Sequence, residues 1–382
     1  MSRFPVQKAP LRIPIHNNGT HATPLFCETA AGFITTLLHS VDRMRAQAVA
    51  LTILVMAASL TGCLSSEEDS GHSVNEAEES PLHINHIQVK GTHNSYHVKP
   101  NGPTIRAYDY SHEPLDVQAE EFDVRQFEID VWWSPGQQMR VYHNQYDRET
   151  TCQVLRECLD TLLTWSESNP SHVPLMIWIE PKEWTWTAAD TTTVMEAQNM
   201  LEDVEEQINL AWPLEKIITP DVVRGEYTDL STAVTTAGWP LLDESRGKAI
   251  FILLGGGDVR EEYHSQHPNL EGATMFTMSS EGTPEAAIFS DTNPIGNGDR
   301  IRELVEEGYI VRSRADDAED GEADNNETER RDAAFSVGAH SISTDYPAKV
   351  DGIEYWVDHP VGCNPITAPP DCSIERIIGT SS

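Results

Sequence analysis

The run Q-F-E-I-D-V-W-W (126–133), the turn Ser134-Pro135-Gly136 and the run M-R-V-Y-H-N (139–144) decide how this chain is read. Side chains on a strand point alternately to opposite faces, so the first run puts Glu128 and Asp130 on one face and Phe127, Ile129 and Val131 on the other. Two carboxylates aimed into one space suit a hard cation such as calcium or magnesium. A second short strand is expected to follow the turn and to deliver His143 near its end. Histidine is the side chain suited to proton transfer near neutral pH.

Outward from this stretch, strands alternate with helices. Upstream, I-N-H-I-Q-V-K (84–90) reads as a first strand ending in Gly91-Thr92-His93-Asn94-Ser95-Tyr96-His97, and E-P-L-D-V-Q-A-E-E-F (113–122) as a helix. Downstream, residues 150–167 place Val154, Leu155, Cys158, Leu159, Leu162 and Leu163 on one helical face, with Asn169-Pro170 as a stop. The run V-P-L-M-I-W-I-E-P-K (173–182) is nearly continuously apolar, as a strand buried on both faces is, and ends in Glu180 and Lys182. Residues 194–210 read as a helix, 248–257 as a buried strand, and A-T-M-F-T-M and A-A-I-F-S as one or two more. The segment 308–316 is a strand that ends in Arg312, Arg314 and Asp316, and G-A-H-S-I-S-T-D-Y-P (338–347) closes the set. Strand–helix alternation with polar side chains at strand ends predicts an α/β fold of the (β/α)8 TIM type, carrying its chemistry at one end of the barrel. No fixed-period repeat interrupts that reading.

The chain has 382 residues, and 61 acidic against 26 basic residues give a formal charge of −35. Nucleic acid is excluded as an expected partner, because duplex binding needs a basic face. From Met44 the sequence M-R-A-Q-A-V-A-L-T-I-L-V-M-A-A-S-L-T-G-C has the basic start and apolar run of a signal peptide and is too short for a comfortable membrane span. Leu60-Thr61-Gly62-Cys63 has the form of a bacterial lipobox, with Cys63 as the lipidated first residue of the mature protein. Residues 1–43 have no such order and are read as a leader upstream of the true start. Residues 44–62 are then the signal peptide, 63–81 an acidic tether, and 82–382 one catalytic barrel domain. The expectation is an exported protein of the bacterial cell envelope, anchored to its own membrane, or a secreted one if Cys63 is not lipidated.

Cys152, Cys158, Cys363 and Cys372 form two local couples, and export favours disulfides. Zinc is the alternative, though neither couple has C-x-x-C spacing.

Collected at the predicted strand ends are His93, Asn94, Glu128, Asp130, His143 and Glu180. Asn94, Glu128, Asp130 and Glu180 offer oxygen only, which suits calcium. The two histidines are left to work on a phosphate, one as base and one as acid, while the cation neutralises charge. Gly255-Gly256-Gly257 lacks the Lys-Ser/Thr of a nucleotide loop and reads as a turn. Asp316–Glu327 has some EF-hand spacing, but Ala318 removes a ligand. Trp132, Trp133, Trp184 and Trp186 adjoin the site strands and are candidates to meet a lipid headgroup.

G-T-H-N-S-Y, E-I-D-V-W-W, Y-H-N, W-I-E-P-K and V-R-S-R-A-D, in that order, resemble the bacterial calcium-dependent phosphatidylinositol-specific phospholipase C family, among the PLC-like phosphodiesterase barrels, over residues 84–372. The resemblance implies His93 and His143 as catalytic residues, Asn94, Glu128, Asp130 and Glu180 as calcium ligands, and Lys182 and Arg314 as contacts to substrate phosphate. It implies a phospholipid or other phosphodiester substrate at a membrane surface, attacked by its own inositol 2-hydroxyl to release diacylglycerol. A glycerophosphodiesterase or phospholipase D-like activity on the same barrel is the alternative within enzymes. A non-catalytic calcium-dependent surface binder is the alternative outside them.

Overall fold

Ten strands, β1 (Ile87–Thr92), β2 (Val124–Trp132), β3 (Arg140–Val141), β4 (Leu175–Lys182), β5 (Ala249–Leu253), β6 (Met275–Thr277), β7 (Ile288–Ser290), β8 (Ile310–Arg314), β9 (Ser341–Thr344) and β10 (Gly362–Cys363), make up the sheet of this computed structural model. It describes residues 79–182 and 194–379. The leader, the signal segment with Cys63, nearly all of the tether, and Trp184 and Trp186 lie outside the described residues. Eight strands are parallel, in the order β6-β5-β4-β2-β1-β9-β8-β7. A bridge from Met278 to Ile288 joins the end of β6 to β7 and brings the ring close to closure. Helices between successive ring strands, except between β6 and β7, which a helix-free segment joins, cover its outside in the expected (β/α)8 arrangement.

The burial of the strands explains why these segments became strands. Leu175, Met176, Ile177, Trp178 and Ile179 of β4 and every residue of β5 are buried, because helices cover one face and the barrel interior fills the other. On β2 the alternation divides the two environments. Phe127, Ile129 and Val131 join the apolar cluster that contains Leu155, Leu159 and Leu162 of the helix Leu155–Ser168. Gln126, Glu128 and Asp130 face the interior instead. Gly91 is required there, since a Cβ at that position would lie 2.0 Å from Oε1 of Gln126, its register partner.

Two expectations are corrected. The second short strand expected to carry His143 near its end forms but pairs for only two residues, antiparallel to β2, with Val131 opposite Val141 and Trp132 opposite Arg140, and His143 lies two residues beyond it. The Ser134-Pro135-Gly136 turn is too short for a parallel crossover, which needs about a dozen residues, so a hairpin forms outside the ring. The first strand also starts late: residues 84–86 form a 3-10 turn before β1 begins at Ile87.

Both cysteine couples are disulfides, Cys152–Cys158 and Cys363–Cys372. The first ties the approach to the helix Leu155–Ser168. The second closes the loop after β10, which pairs antiparallel with the start of β1. Disulfides of this kind belong to an oxidising compartment, and the protein is an exported one. Among the described residues no helix is long and apolar enough to cross a membrane.

Candidate active site

The C-terminal ends of β1, β2, β4, β8 and β9 converge on one set of polar side chains. Neighbouring parallel strands place register partners side by side, so Asp130 on β2 lies against Glu180 on β4. With Glu128 they form a cluster in which one carboxylate oxygen from each lies within 4.8 Å of the others. Two oxygens on opposite sides of a calcium ion, each at 2.3–2.6 Å, are about 5 Å apart, so the cluster has the right size as well as the right atoms. Asp130 Oδ1 is buried without a hydrogen bond. Burial, then the neighbouring charge of Glu180, pushes the Asp130 carboxyl well above its ordinary range, which is how a site short of positive charge behaves. These residues fit a hard divalent cation.

Asn94 follows β1 in the left-handed region, φ 44°, which asparagine tolerates better than most residues. Its buried amide lies between Tyr110 and Tyr96, each hydroxyl 3.4 Å away. Lys182 bridges two members of the cluster, at 3.0 Å from Asp130 Oδ2 and 2.7 Å from Glu180 Oε1. Burial alone would lower the lysine pKa, but the two carboxylates outweigh it and raise it.

On the opposite side of the barrel Arg312 pairs with Glu128 and lies over the indole of Trp178, its guanidinium carbon 5.2 Å from the ring centre. Both partners are buried. Burial opposes the Glu128 charge, and Arg312, His93 and Arg314 overcome it, holding the carboxyl below its usual range. Removing one member of such a pair strands the other and costs about 3–5 kcal/mol.

His93 and His143 each meet a buried aspartate. Nδ1 of His93 is 2.8 Å from Asp345 Oδ1, and Nδ1 of His143 is 3.0 Å from Asp147 Oδ2. Burial works against ionisation of Asp345, but the charges of His93 and Arg314 hold its carboxyl far below the usual range. An ionised carboxylate only accepts, so in these two bonds each histidine donates through Nδ1, which leaves Nε2 for other work; Arg314 Nη2 lies 3.3 Å from the same nitrogen of His93, and Asn144 Nδ2 lies 3.1 Å from that of His143. Arg314 donates to Asp345 Oδ2 at 3.2 Å and to Asp317 Oδ2 at 2.9 Å. His112 is buried with Nε2 2.9 Å from the carbonyl of His93, and burial lowers its pKa to about 4. It therefore stays neutral and braces the end of β1.

Among the expected site residues, Glu128, Asp130, Glu180 and Lys182 meet directly, His93 meets Arg314 and reaches Asn94 through Tyr110, and His143 is linked to Tyr110 through Asp147 and His97. Lys182 and Arg314, expected at substrate phosphate, are each engaged with carboxylates. Sequence reasoning missed Asp345, Asp147, His112 and Arg312. Asp345 has a signal, since it lies just past the last strand, where barrel chemistry collects. Asp147 has a weaker one, four residues after His143. The EF-hand-like segment is not a metal loop: the Asp316 carboxylate accepts from the Asp345 amide at 2.8 Å and from Tyr355 Oη at 2.9 Å, and Glu322 pairs with Arg330. Trp132 stacks on Tyr142, ring centres 5.3 Å apart, while Trp133 donates its indole N–H to Asp203.

Among solved structures, the calcium-dependent phosphatidylinositol-specific phospholipase C of Streptomyces antibioticus is similar, with a TM-score of 0.51 and 17% identity, over 70% of this chain and 95% of that one. The calcium-dependent phosphoinositol-specific phospholipase C of a Pseudomonas species is similar with a TM-score of 0.52 and 16% identity, over 74% and 95%, and it is also known as a myo-inositol complex. At these identities the likeness is one of fold. No curated protein matches the sequence. Residues 82–139 and 134–366 match the family described as phosphoinositide phospholipase C, Ca2+-dependent, and these residues span most of the chain. The chain therefore belongs to the calcium-dependent phosphoinositide phospholipase C family, a phosphodiesterase of the phospholipase C type with calcium as its cofactor.

Proposed function

We propose that His93 and His143 carry the reaction as a base and acid pair, and that Asn94, Glu128, Asp130 and Glu180 hold the calcium ion. The observation that supports this best is the meeting, at one barrel end, of a three-carboxylate cluster and two histidines each oriented through Nδ1 by a buried aspartate. The substrate is phosphatidylinositol. One histidine takes the proton of the inositol 2-hydroxyl through Nε2 as that oxygen attacks phosphorus. The other gives a proton through Nε2 to the departing diacylglycerol oxygen, so that one P–O bond forms as another breaks and a cyclic phosphate results. Calcium, when bound, neutralises charge on the phosphate and lowers the pKa of an oxygen it touches. Arg314 uses the guanidinium donors left free by Asp345 and Asp317 to hold a phosphate oxygen, and Lys182 turns from its carboxylates to do the same.

The reading extends to the N-terminus. Cys63 is lipidated, residues 63–81 tether the barrel, and the enzyme is held at the bacterial envelope. Mass spectrometry of the mature protein checks this: a diacylated Cys63 supports it, and a mature N-terminus upstream of Cys63 refutes it.

The decisive experiment is incubation with phosphatidylinositol and with a mixed lipid extract, with and without calcium, followed by mass spectrometry of the products. Diacylglycerol and an inositol cyclic phosphate, formed only with calcium, are the expected products. Phosphatidic acid as the product, or full turnover in excess chelator, overturns the scheme.

A further inference from the structure

Behind His143 the scheme uses Asp147 only as the acceptor that orients the ring, and it gives the second partner of that carboxylate, His97, no role. The Asp147 side chain is fully enclosed and that of His97 is 1% exposed. Asp147 uses both oxygens: Oδ2 lies 3.0 Å from Nδ1 of His143, and Oδ1 lies 3.0 Å from Nε2 of His97. Backbone contacts hold both residues in place. Asn144 and Asp147 exchange two amide–carbonyl bonds of 3.1 Å across a tight turn, and His97 forms an antiparallel bridge with Thr150. The His97 ring tilts over Tyr110, centre to centre 4.3 Å, and its Nδ1 is buried with no hydrogen-bond partner. The other groups against His143 are Tyr108, whose ring meets the imidazole edge-on at 5.5 Å, and the Asn144 amide, whose Nδ2 lies 3.1 Å from His143 Nδ1 beside Asp147 and donates to the Tyr108 hydroxyl at 3.0 Å.

We propose that Asp147 and His97 act together as positioning residues that set the tautomer of His143, with the carboxylate shared between them keeping the His143 proton on Nδ1 and its Nε2 open to substrate. The proposal rests on the reading of His143 as an acid–base group.

The chemistry of the shared carboxylate is directional. His97 donates to Asp147 through Nε2–H, and it has no second choice: moving that proton to Nδ1 would leave a buried N–H without an acceptor. The D147N substitution replaces the carboxylate by a carboxamide, with one acceptor oxygen and one NH2 donor. With His97 holding its proton on Nε2, the amide oxygen must face His97 and the NH2 must face His143. His143 then accepts at Nδ1, carries its proton on Nε2, and presents the wrong nitrogen to the substrate. Adding H97Q removes the constraint. The glutamine amide reaches the same position as Nε2 but can present either oxygen or nitrogen, so the carboxamide introduced by D147N is free to turn its own oxygen to His143.

The test combines kinetics on phosphatidylinositol vesicles with 15N imidazole spectra of the full chain. Wild-type His143 is expected to be protonated at Nδ1 when neutral. D147N is expected to lose about 10³- to 10⁴-fold in kcat with KM little changed, as a tautomer error does in a serine protease triad, and to show His143 protonated at Nε2. D147N/H97Q is expected to recover at least about tenfold of that loss and to restore the Nδ1 proton. A loss of packing alone predicts a double variant no better than D147N. Wild-type His143 protonated at Nε2, D147N within about threefold of wild type, or no recovery in the double variant overturns the proposal. If D147N does not fold, the wild-type and H97Q spectra still decide the tautomer. An H143A variant separates the two ideas: full activity there overturns the acid–base reading, whereas the spectra judge the positioning pair whatever the turnover.

Discussion

His93 and His143 do the same job from different footings. His93 stands directly after a ring strand, and its aspartate, Asp345, stands directly after the adjacent ring strand, since β1 and β9 pair with Thr92 opposite Thr344. Asp345 is also satisfied by Arg314 and by the Ala318 amide at 3.0 Å. His143 stands on a loop beyond a two-residue antiparallel pairing, and its aspartate comes from the same loop. Among the described residues no arginine pairs with that carboxylate, which is shared with His97 instead. One half of the site is thus built by barrel register and charge compensation, the other by a local turn, a disulfide at Cys152–Cys158 and a second histidine as hydrogen-bond partner. Equivalent imidazole orientation does not need equivalent surroundings; it needs a buried acceptor whose other bonds are already committed.

This comparison can be broken most severely at the histidines themselves. H93A and H143A are each expected to lower kcat by about 10²–10⁴, the usual worth of a general acid or base, and excess EDTA is expected to abolish turnover in both and in wild type. A histidine variant with near wild-type kcat on phosphatidylinositol removes that half from the mechanism. Next in size, D345N is expected to cost about 10²–10³ in kcat. Because Arg314 then keeps only Asp317 as a carboxylate partner, KM is expected to change as well, which the His143 side does not predict for D147N. Steady-state kinetics on both variants tests the contrast.

The cation side responds in a different quantity. D130N and E180Q are expected to weaken calcium binding by about tenfold or more, read by calorimetry, while C152A/C158A is expected to leave calcium affinity unchanged and to cost about 2 kcal/mol of stability through the freed loop. Calcium affinity unaltered by D130N places the ion elsewhere.

The smallest effect is on acid stability. Both aspartates are held below the ordinary value of 3.8, against the opposing influence of burial, Asp345 by His93 and Arg314 and Asp147 by its bonds to His143 and His97. A carboxyl depressed in the folded state adds stability that is present above its unfolded pKa and is lost as pH falls through the folded one. Urea denaturation between pH 5 and pH 2.5, about one unit above and below that value, is expected to show a shallower fall for D345N than for wild type, and a smaller change for D147N. A D345N curve parallel to wild type contradicts the charge-compensated description of His93.

Most ring strands were legible because burial on both faces writes continuous apolar runs, as in 173–182 and 248–254, and because alternation at 126–131 separates interior carboxylates from the outer apolar face. The ligand-capable residues were legible because they cluster where those runs end. His97 and Asp147 were not, since a lone histidine in a polar segment and an aspartate in a turn look like ordinary surface residues until a fold encloses them. Arg312 was read only as part of a strand end. Nothing in V-R-S-R-A-D says that one arginine crosses the interior to Glu128 while the next turns to Asp345.

The sequence by itself determined the strand and helix periods, the identity of the chemical groups at the strand ends and the local pairing of the cysteines, because each depends on neighbours a few residues apart. Only the tertiary structure decided which groups are partners: Glu128 with Arg312 across 184 positions, His93 with Asp345 across 252, and Asp147 divided between His143 and His97. Ring closure and register bring such residues into one low-dielectric space, where a bond left unmade is costly, and that cost selects the partners.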